Sequence, residues 1–130
     1  MKLLLDTHVW LWMLAEPDRL SDSTRQLIQD RRTALYLSAV SSGEIAIKHA
    51  LGRLPRPEPP EHSVPARMRT TGVRGLPIEH AHALHVDTLE MHHRDPFDRL
   101  LVAQSQVEGL PLLTADRVFE RYDIEVMSAE

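Results

Sequence analysis

Met1-Lys-Leu-Leu-Leu-Asp-Thr-His-Val-Trp10 opens the chain, and the reading of this stretch decides the fold. Leu3, Leu4 and Leu5 follow Lys2 without a polar break. A run this short suits a strand buried on both faces or a fragment of buried helix. Asp6-Thr7 favours the strand, because both residues are good helix caps and the next apolar run, from His8 to Glu16, reads as a helix stopped by Pro17. The chain thus begins as strand, acid, helix.

The same alternation continues outward from there. Ser21 or Asp22 caps a second helix with Leu27 and Ile28 inward, ending near Arg31-Arg32. Residues 34–38 read as a strand, and Ser41 and Ser42 open a third helix to about Leu51, with Gly52 just past its end. Four prolines lie between Pro55 and Pro60 and make a stiff connector, too short to separate two domains. A short helix is expected from Pro65 to Thr71, an edge strand at Leu76-Pro77-Ile78 and a helix over 79–90. Asp95-Pro96 starts a long helix to about Glu108, with Pro96 at its first position and Gly109 beyond its end. Strands at 111–114 and 124–127 flank a helical turn from Asp116 to about Arg121. Short strands alternating with helices predict an α/β domain built on a parallel sheet.

At 130 residues the chain is expected to form one domain, 1–130. With 42% hydrophobic and 26% charged residues, the composition is that of an ordinary globular protein and excludes intrinsic disorder. No cysteine is present, which removes disulfides, thiolate metal sites and cysteine nucleophiles and fits a reducing compartment. The longest apolar run, Val9 to Ala15, falls well short of the ~20 residues of a membrane span. Asp6 and His8 interrupt what a signal peptide would keep apolar, so the N-terminus reads as mature and the protein as cytoplasmic, with no membrane partner. A net charge of −4 speaks against a generic electrostatic binder of nucleic acid, but not against an enzyme acting on nucleic acid through a metal ion.

Four acids share one kind of location. Asp6 follows the first strand and Asp116 the fourth, Glu44 sits in the first turn of the third helix, and Asp98 lies in the first turn of the long helix. In an open parallel sheet, ligands bind beyond the carboxyl ends of the strands, where strand order reverses. Each acid alone has an ordinary explanation: first-turn acids complement the helix dipole, Glu44 can pair with Lys48, and Asp95 can simply cap its helix. Together they describe a site. Clustered carboxylates repel one another and need a cation, and oxygen-only ligands suit Mg²⁺ or Mn²⁺.

Four blocks then stand in order: the opening decapeptide, Ser42-Gly-Glu-Ile-Ala-Ile-Lys48, Arg94-Asp-Pro-Phe-Asp-Arg-Leu-Leu-Val-Ala-Gln104 and Leu112-Leu-Thr-Ala-Asp116. They resemble the PIN domain, and more narrowly the VapC-type toxin ribonucleases of type II toxin–antitoxin pairs, over residues 1 to about 127. The resemblance implies a five-stranded parallel sheet in order 3-2-1-4-5 with helices on both faces, and metal-dependent endonucleolytic cleavage of RNA. It places the family's acidic quartet on Asp6, Glu44, Asp98 and Asp116, its small polar residue on Thr7 and its hydroxyl on Thr114. It also implies a homodimer and a small cognate antitoxin whose tail occludes the acids; an Arg is the side chain best fitted to them.

Asp6, Asp98 and Asp116 are the expected ligands of Mg²⁺ (or Mn²⁺), and Glu44 binds through water or positions the attacking water. A carboxylate-held metal lowers the pKa of bound water and relieves charge on a phosphodiester, which is the chemistry RNA hydrolysis needs. Asp95 is expected to cap its helix and orient Arg99 or Arg94. The rival within the same fold is a non-catalytic RNA-binding or protein-interaction module, which the intact quartet opposes. A haloacid-type phosphatase using Asp6 as nucleophile usually carries a second Asp two residues on, where this chain has His8.

His80, His82, His85, His92 and His93 crowd into a short stretch. A zinc site there would need a further ligand and matching geometry, so a solvated helix face is expected. His8 is expected to pack at its helix start. Trp10, Trp12, Met13 and Leu14 read as core plus a subunit contact rather than a base-stacking platform, so the first two helices are expected to build the dimer. Arg53, Arg56, Arg67 and Arg69 belong to a segment, 53–75, with five Arg and two Glu in an otherwise acidic chain, and are candidate RNA contacts.

Overall fold

The computed structural model describes residues 1–54 and 58–130. β1 (Lys2–Leu5) is the middle strand of a five-stranded sheet in which every pairing is parallel. Beside it lie β2 (Ala34–Ser38) and β4 (Leu112–Thr114), and β3 (Arg74–Leu76) and β5 (Val126–Ser128) form the edges, giving the order β3-β2-β1-β4-β5. Leu3, Leu4 and Leu5 are fully buried. This is why the run has no polar alternation: a central parallel strand is covered on both faces.

The two faces carry two separate cores. Leu3, Leu5, Leu35, Leu37 and Leu113 point to one, where they meet Val9 and Trp10 of α1 (Thr7–Ala15), Leu27 and Ile28 of α2 (Asp22–Gln29), Ile45 of α3 (Ala39–Ala50) and Val64 of α4 (Pro60–Thr71). Leu4, Tyr36, Leu112 and Val126 point to the other, against Leu101 and Val102 of α6 (Pro96–Glu108), Phe119 and Tyr122. The period of two along the strands assigns each residue its face. The sheet order and the helices on both faces agree with the expectation.

Several boundaries moved for local reasons. α2 stops at Gln29, short of Arg31-Arg32, because the Asp30 carboxylate accepts from both the backbone N–H and the guanidinium of Arg32. Such local bonding competes with the helix ladder. α3 begins at Ala39 and is capped by Ser38, whose Oγ accepts from the N–H of Val40 at 2.9 Å, not by Ser41 or Ser42. Glu44 therefore lies in the second turn of that helix. α4 starts at Pro60, five residues earlier than expected, and carries Pro65 internally. β3 ends at Leu76, before Pro77, which has no N–H to extend the ladder. α5 is limited to His80–His85 and passes into a 3₁₀ turn at Val86–Thr88.

Of the histidines expected to be solvated, His80 is exposed, but His82, His85, His92 and His93 are not. His82 is fully buried; its Nδ1 accepts from the N–H of Glu79 and its Nε2 meets Glu108 Oε1 at 2.8 Å. Trp10 is also fully buried, which removes it as a base-stacking platform, and Trp12 lies 4.5 Å beneath the Arg19 guanidinium. Among the described residues, no helix is long and apolar enough to cross a membrane.

Candidate active site at the carboxyl ends of the strands

β1 delivers Asp6 and β4 delivers Thr114, with Asp116 two residues on, to the same end of adjacent strands. Asp6 occupies the N-cap position of α1, yet its side chain makes no capping bond. Instead its Oδ2 accepts from Thr114 Oγ1 at 2.7 Å, and Thr114 Oγ1 in turn accepts from the N–H of Asp116 at 3.0 Å. One hydroxyl thus fixes the rotamer of one acid and the backbone of the other. Thr7 Oγ1 donates to Ser41 Oγ at 2.7 Å, tying the start of α1 to α3 through two buried hydroxyls.

Glu44 reaches the rim from α3 and is 3% exposed. Its Oε2 accepts from Lys48 Nζ at 2.6 Å, and its Oε1 is buried without a hydrogen-bond partner. The ordinary pairing with Lys48 is therefore real but uses one oxygen only. A buried carboxylate oxygen left unbonded loses its hydration without return, so this atom is available to a water or a cation.

Asp98 is held in the first turn of α6, behind Asp95. The Asp95 carboxylate accepts from the N–H of Phe97 at 2.8 Å, as a cap should. It does not orient Arg99, whose guanidinium donates to the carbonyls of Glu90 and Val86. Burial pushes the Asp98 carboxyl up to about 7, and the charges of Asp6, Asp95 and Glu44 push the same way, against the pull of His93. Burial likewise raises Asp6, with Glu44 adding to it, while the Thr114 hydrogen bond and His8 oppose the rise. Asp6, Glu44 and Asp98 thus sense one another's charge.

Asp116 is joined to Asp98 by His93, which the sequence placed only in a histidine-rich stretch expected to be solvated. Nε2 of His93 lies 3.0 Å from Asp116 Oδ2 and 3.3 Å from Asp98 Oδ2. Among the described residues, His93, Asp98 and Asp116 form the group whose ligand atoms all fall within 4.8 Å of one another, and Asp6 and Glu44 stand outside that spacing. Asp116 also caps the following 3₁₀ turn, accepting from the N–H of Val118 through Oδ1. The sequence held no local signal for His93, because its position depends on contacts from the far end of the chain. Ser41 was read as a cap rather than as the partner of Thr7.

Of the candidate RNA contacts, Arg53, Arg67 and Arg69 are exposed, and Arg56 lies outside the described residues.

The Thr114 hydroxyl makes a direct test of this wiring. Thr114→Val keeps the shape and removes the donor to a buried carboxylate. It should cost about 1–3 kcal/mol of stability near pH 7, measured by urea denaturation. Equal unfolding midpoints would show that the Asp6 carboxylate draws nothing from that bond.

The family model described as PIN domain matches residues 3–125. Ribonuclease VapC16 of Mycobacterium tuberculosis (strain ATCC 25618 / H37Rv) is 48% identical over 64 residues, a match covering 49% of this chain and 45% of that protein. This chain therefore matches less than half the length of that relative. Solved structures that share the architecture include three VapBC complexes. DNA-bound VapBC2 from Rickettsia felis superposes with a TM-score of 0.75 at 11% identity, covering all of both chains. DNA-bound VapBC from Salmonella typhimurium gives 0.73 at 16% identity, covering 100% of this chain and 99% of that one. VapBC-1 from nontypeable Haemophilus influenzae gives 0.67 at 20% identity, covering 98% of each. At these identities the likeness is one of fold.

Proposed function

Since this chain belongs to the PIN-domain family, we propose that it is a metal-dependent endoribonuclease and the toxin of a toxin–antitoxin pair. The observation that carries the reading is the gathering of Asp6, Glu44 and Asp98 within electrostatic reach, with Asp116 bound to the same rim through Thr114 and His93. The donor set fits a hard divalent cation: burial first, and then the charges of Asp6 and Asp95, raise the Asp98 carboxyl to about 7, and Glu44 Oε1 lacks any partner. Asp6, Asp98 and Asp116 are the ligands in this reading, and the ion is Mg²⁺ or Mn²⁺. Bound there, it would acidify a water and neutralise charge on the scissile phosphate.

The chain's own groups do the rest. Glu44 is held by Lys48 through Oε2, so that Oε1 is left to accept a hydrogen from the attacking water. Thr114 engages Oδ2 of Asp6 and so leaves the other oxygen for the ion, and Thr7 fixes α1 against α3. Arg53, Arg56, Arg67 and Arg69 lie in the one basic segment of the chain and would grip flanking phosphates. The toxin role rests on the part-length match to a VapC ribonuclease and on fold neighbours that are VapBC complexes. By that analogy the partners are a small antitoxin and a second copy meeting through α1 and α2, in a single-domain chain working where cellular RNA is, the cytoplasm.

The test is cleavage of a defined RNA. The purified protein should cut with Mg²⁺ or Mn²⁺, fall silent with a chelator and recover when the ion is returned. Cleavage that persists at full rate in chelator would overturn the metal-dependent reading.

A further inference from the structure

His93 is placed with more care than a loop histidine needs. It lies outside any helix or strand, two residues before the cap of α6. The Tyr122 hydroxyl oxygen accepts from the backbone N–H of His93 at 2.8 Å and from that of His92 at 3.2 Å. Tyr122 itself is buried in the core beneath α6. The His93 ring rests against Phe119, with centroids 5.2 Å apart, and the side chain is 18% exposed. A buried aromatic on either side of Glu120 and Arg121 therefore fixes both the backbone and the ring of this residue. The outcome is one ring nitrogen, Nε2, aimed at an oxygen of Asp98 and an oxygen of Asp116.

We propose that His93 supplies a nitrogen donor to the divalent-metal site, beside Asp98 and Asp116, and thereby tilts the site toward Mn²⁺ over Mg²⁺. This rests on the metal reading given above and goes further than it, since that reading had only oxygen ligands. The chemical basis is the difference between the two ions. Mg²⁺ is hard, sheds water reluctantly and takes oxygen almost exclusively. Mn²⁺ opens the Irving–Williams order of divalent first-row ions and, being softer than Mg²⁺, accepts imidazole nitrogen together with carboxylate oxygen. One nitrogen among oxygens therefore adds more to the binding of Mn²⁺ than of Mg²⁺. A neutral imidazole also adds a ligand without adding to the negative charge that already crowds this pocket.

The experiment reads binding, not turnover. Mn²⁺ titration followed by electron paramagnetic resonance gives the Mn²⁺ affinity, and displacement of Mn²⁺ by Mg²⁺ gives the other. Pulsed measurements on the bound Mn²⁺ report a directly coupled nitrogen. The purified full chain should show that nitrogen. His93→Ala should lose it, with Mn²⁺ affinity falling about tenfold or more and Mg²⁺ affinity changing less than about twofold. His93→Gln keeps a polar side chain of similar reach but offers oxygen, so it should not restore the nitrogen coupling or the preference for Mn²⁺. Circular dichroism and melting confirm that both variants are folded. Absence of nitrogen coupling in the unmodified protein, or equal losses for both ions in His93→Ala, would overturn the inference and leave the metal reading intact. Failure of the unmodified protein to bind Mn²⁺ at millimolar concentration would overturn both.

Discussion

Asp6→Asn should reduce metal-dependent RNA cleavage by about a thousandfold, equivalent to ~4 kcal/mol of transition-state stabilisation, while leaving the protein folded. The substitution is nearly isosteric. The amide oxygen of Asn can take the place of Oδ2 and go on accepting from Thr114 Oγ1. The amide nitrogen then faces the pocket, where a ligand oxygen is wanted, and offers hydrogens to a cation. Burial raises the Asp6 carboxyl and Glu44 adds repulsion, so removing the charge relieves an unfavourable interaction in the metal-free protein. The melting temperature in chelator should therefore equal or exceed that of the unmodified chain. Single-turnover cleavage of one RNA at saturating Mn²⁺ checks the first half, and calorimetry the second. Retained cleavage within a factor of ten would remove Asp6 from the ligand set. A collapse of the fold would show that its charge is structural.

What the sequence made legible follows a physical line. The start of α6 was readable to the residue because Asp95 and Pro96 act locally: one carboxylate accepts from Phe97, and proline suits the first turn. The central strand was readable because three successive leucines are buried on both faces. Asp6 and Asp116 were placed by their positions just after strands, and Asp98 by its place at a helix start. Where two local signals competed, the reading slipped. Ser38, Ser41 and Ser42 are all able to cap, and the one that ends β2 took the role, which moved Glu44 back a turn. Where position depends on the far chain, there was nothing to read. His93 is set by Tyr122 and Phe119, and His82 meets Glu108, each pairing more than twenty residues apart in sequence. Of five histidines that resembled a wet helix face, His80 is exposed, whereas His82 proved to be a buried structural residue and His93 a residue at the candidate site.

Asp98→Asn should abolish cleavage and at the same time stabilise the metal-free protein above neutral pH. The Asp98 carboxyl is pushed from an ordinary value of 3.8 up to about 7, first by burial and then by Asp6 and Asp95. A raised carboxyl destabilises the fold once the unfolded chain can ionise it. The unfolded state gives up its proton near pH 4, whereas the folded state keeps it until about 7. Stability from this group is therefore complete below pH ~4, drains away between ~4 and ~7, and stays lost above. Asn never ionises, so the variant avoids that loss. Because part of the burden is shared with the other acids, a gain of roughly 2 kcal/mol at pH 8 is expected, a rise of about 5–8 °C in melting temperature. The gap should close as the pH falls toward 4. Mn²⁺ should reverse the order, stabilising the unmodified chain more than the variant, since binding to the folded state alone adds stability by mass action. Melting curves at pH 4.5 and 8, each with chelator and with Mn²⁺, give all four comparisons. A variant that melts below the unmodified chain at pH 8 in chelator would mean that Asp98 is a satisfied structural acid, and that the crowding of carboxylates at this rim does not require a cation.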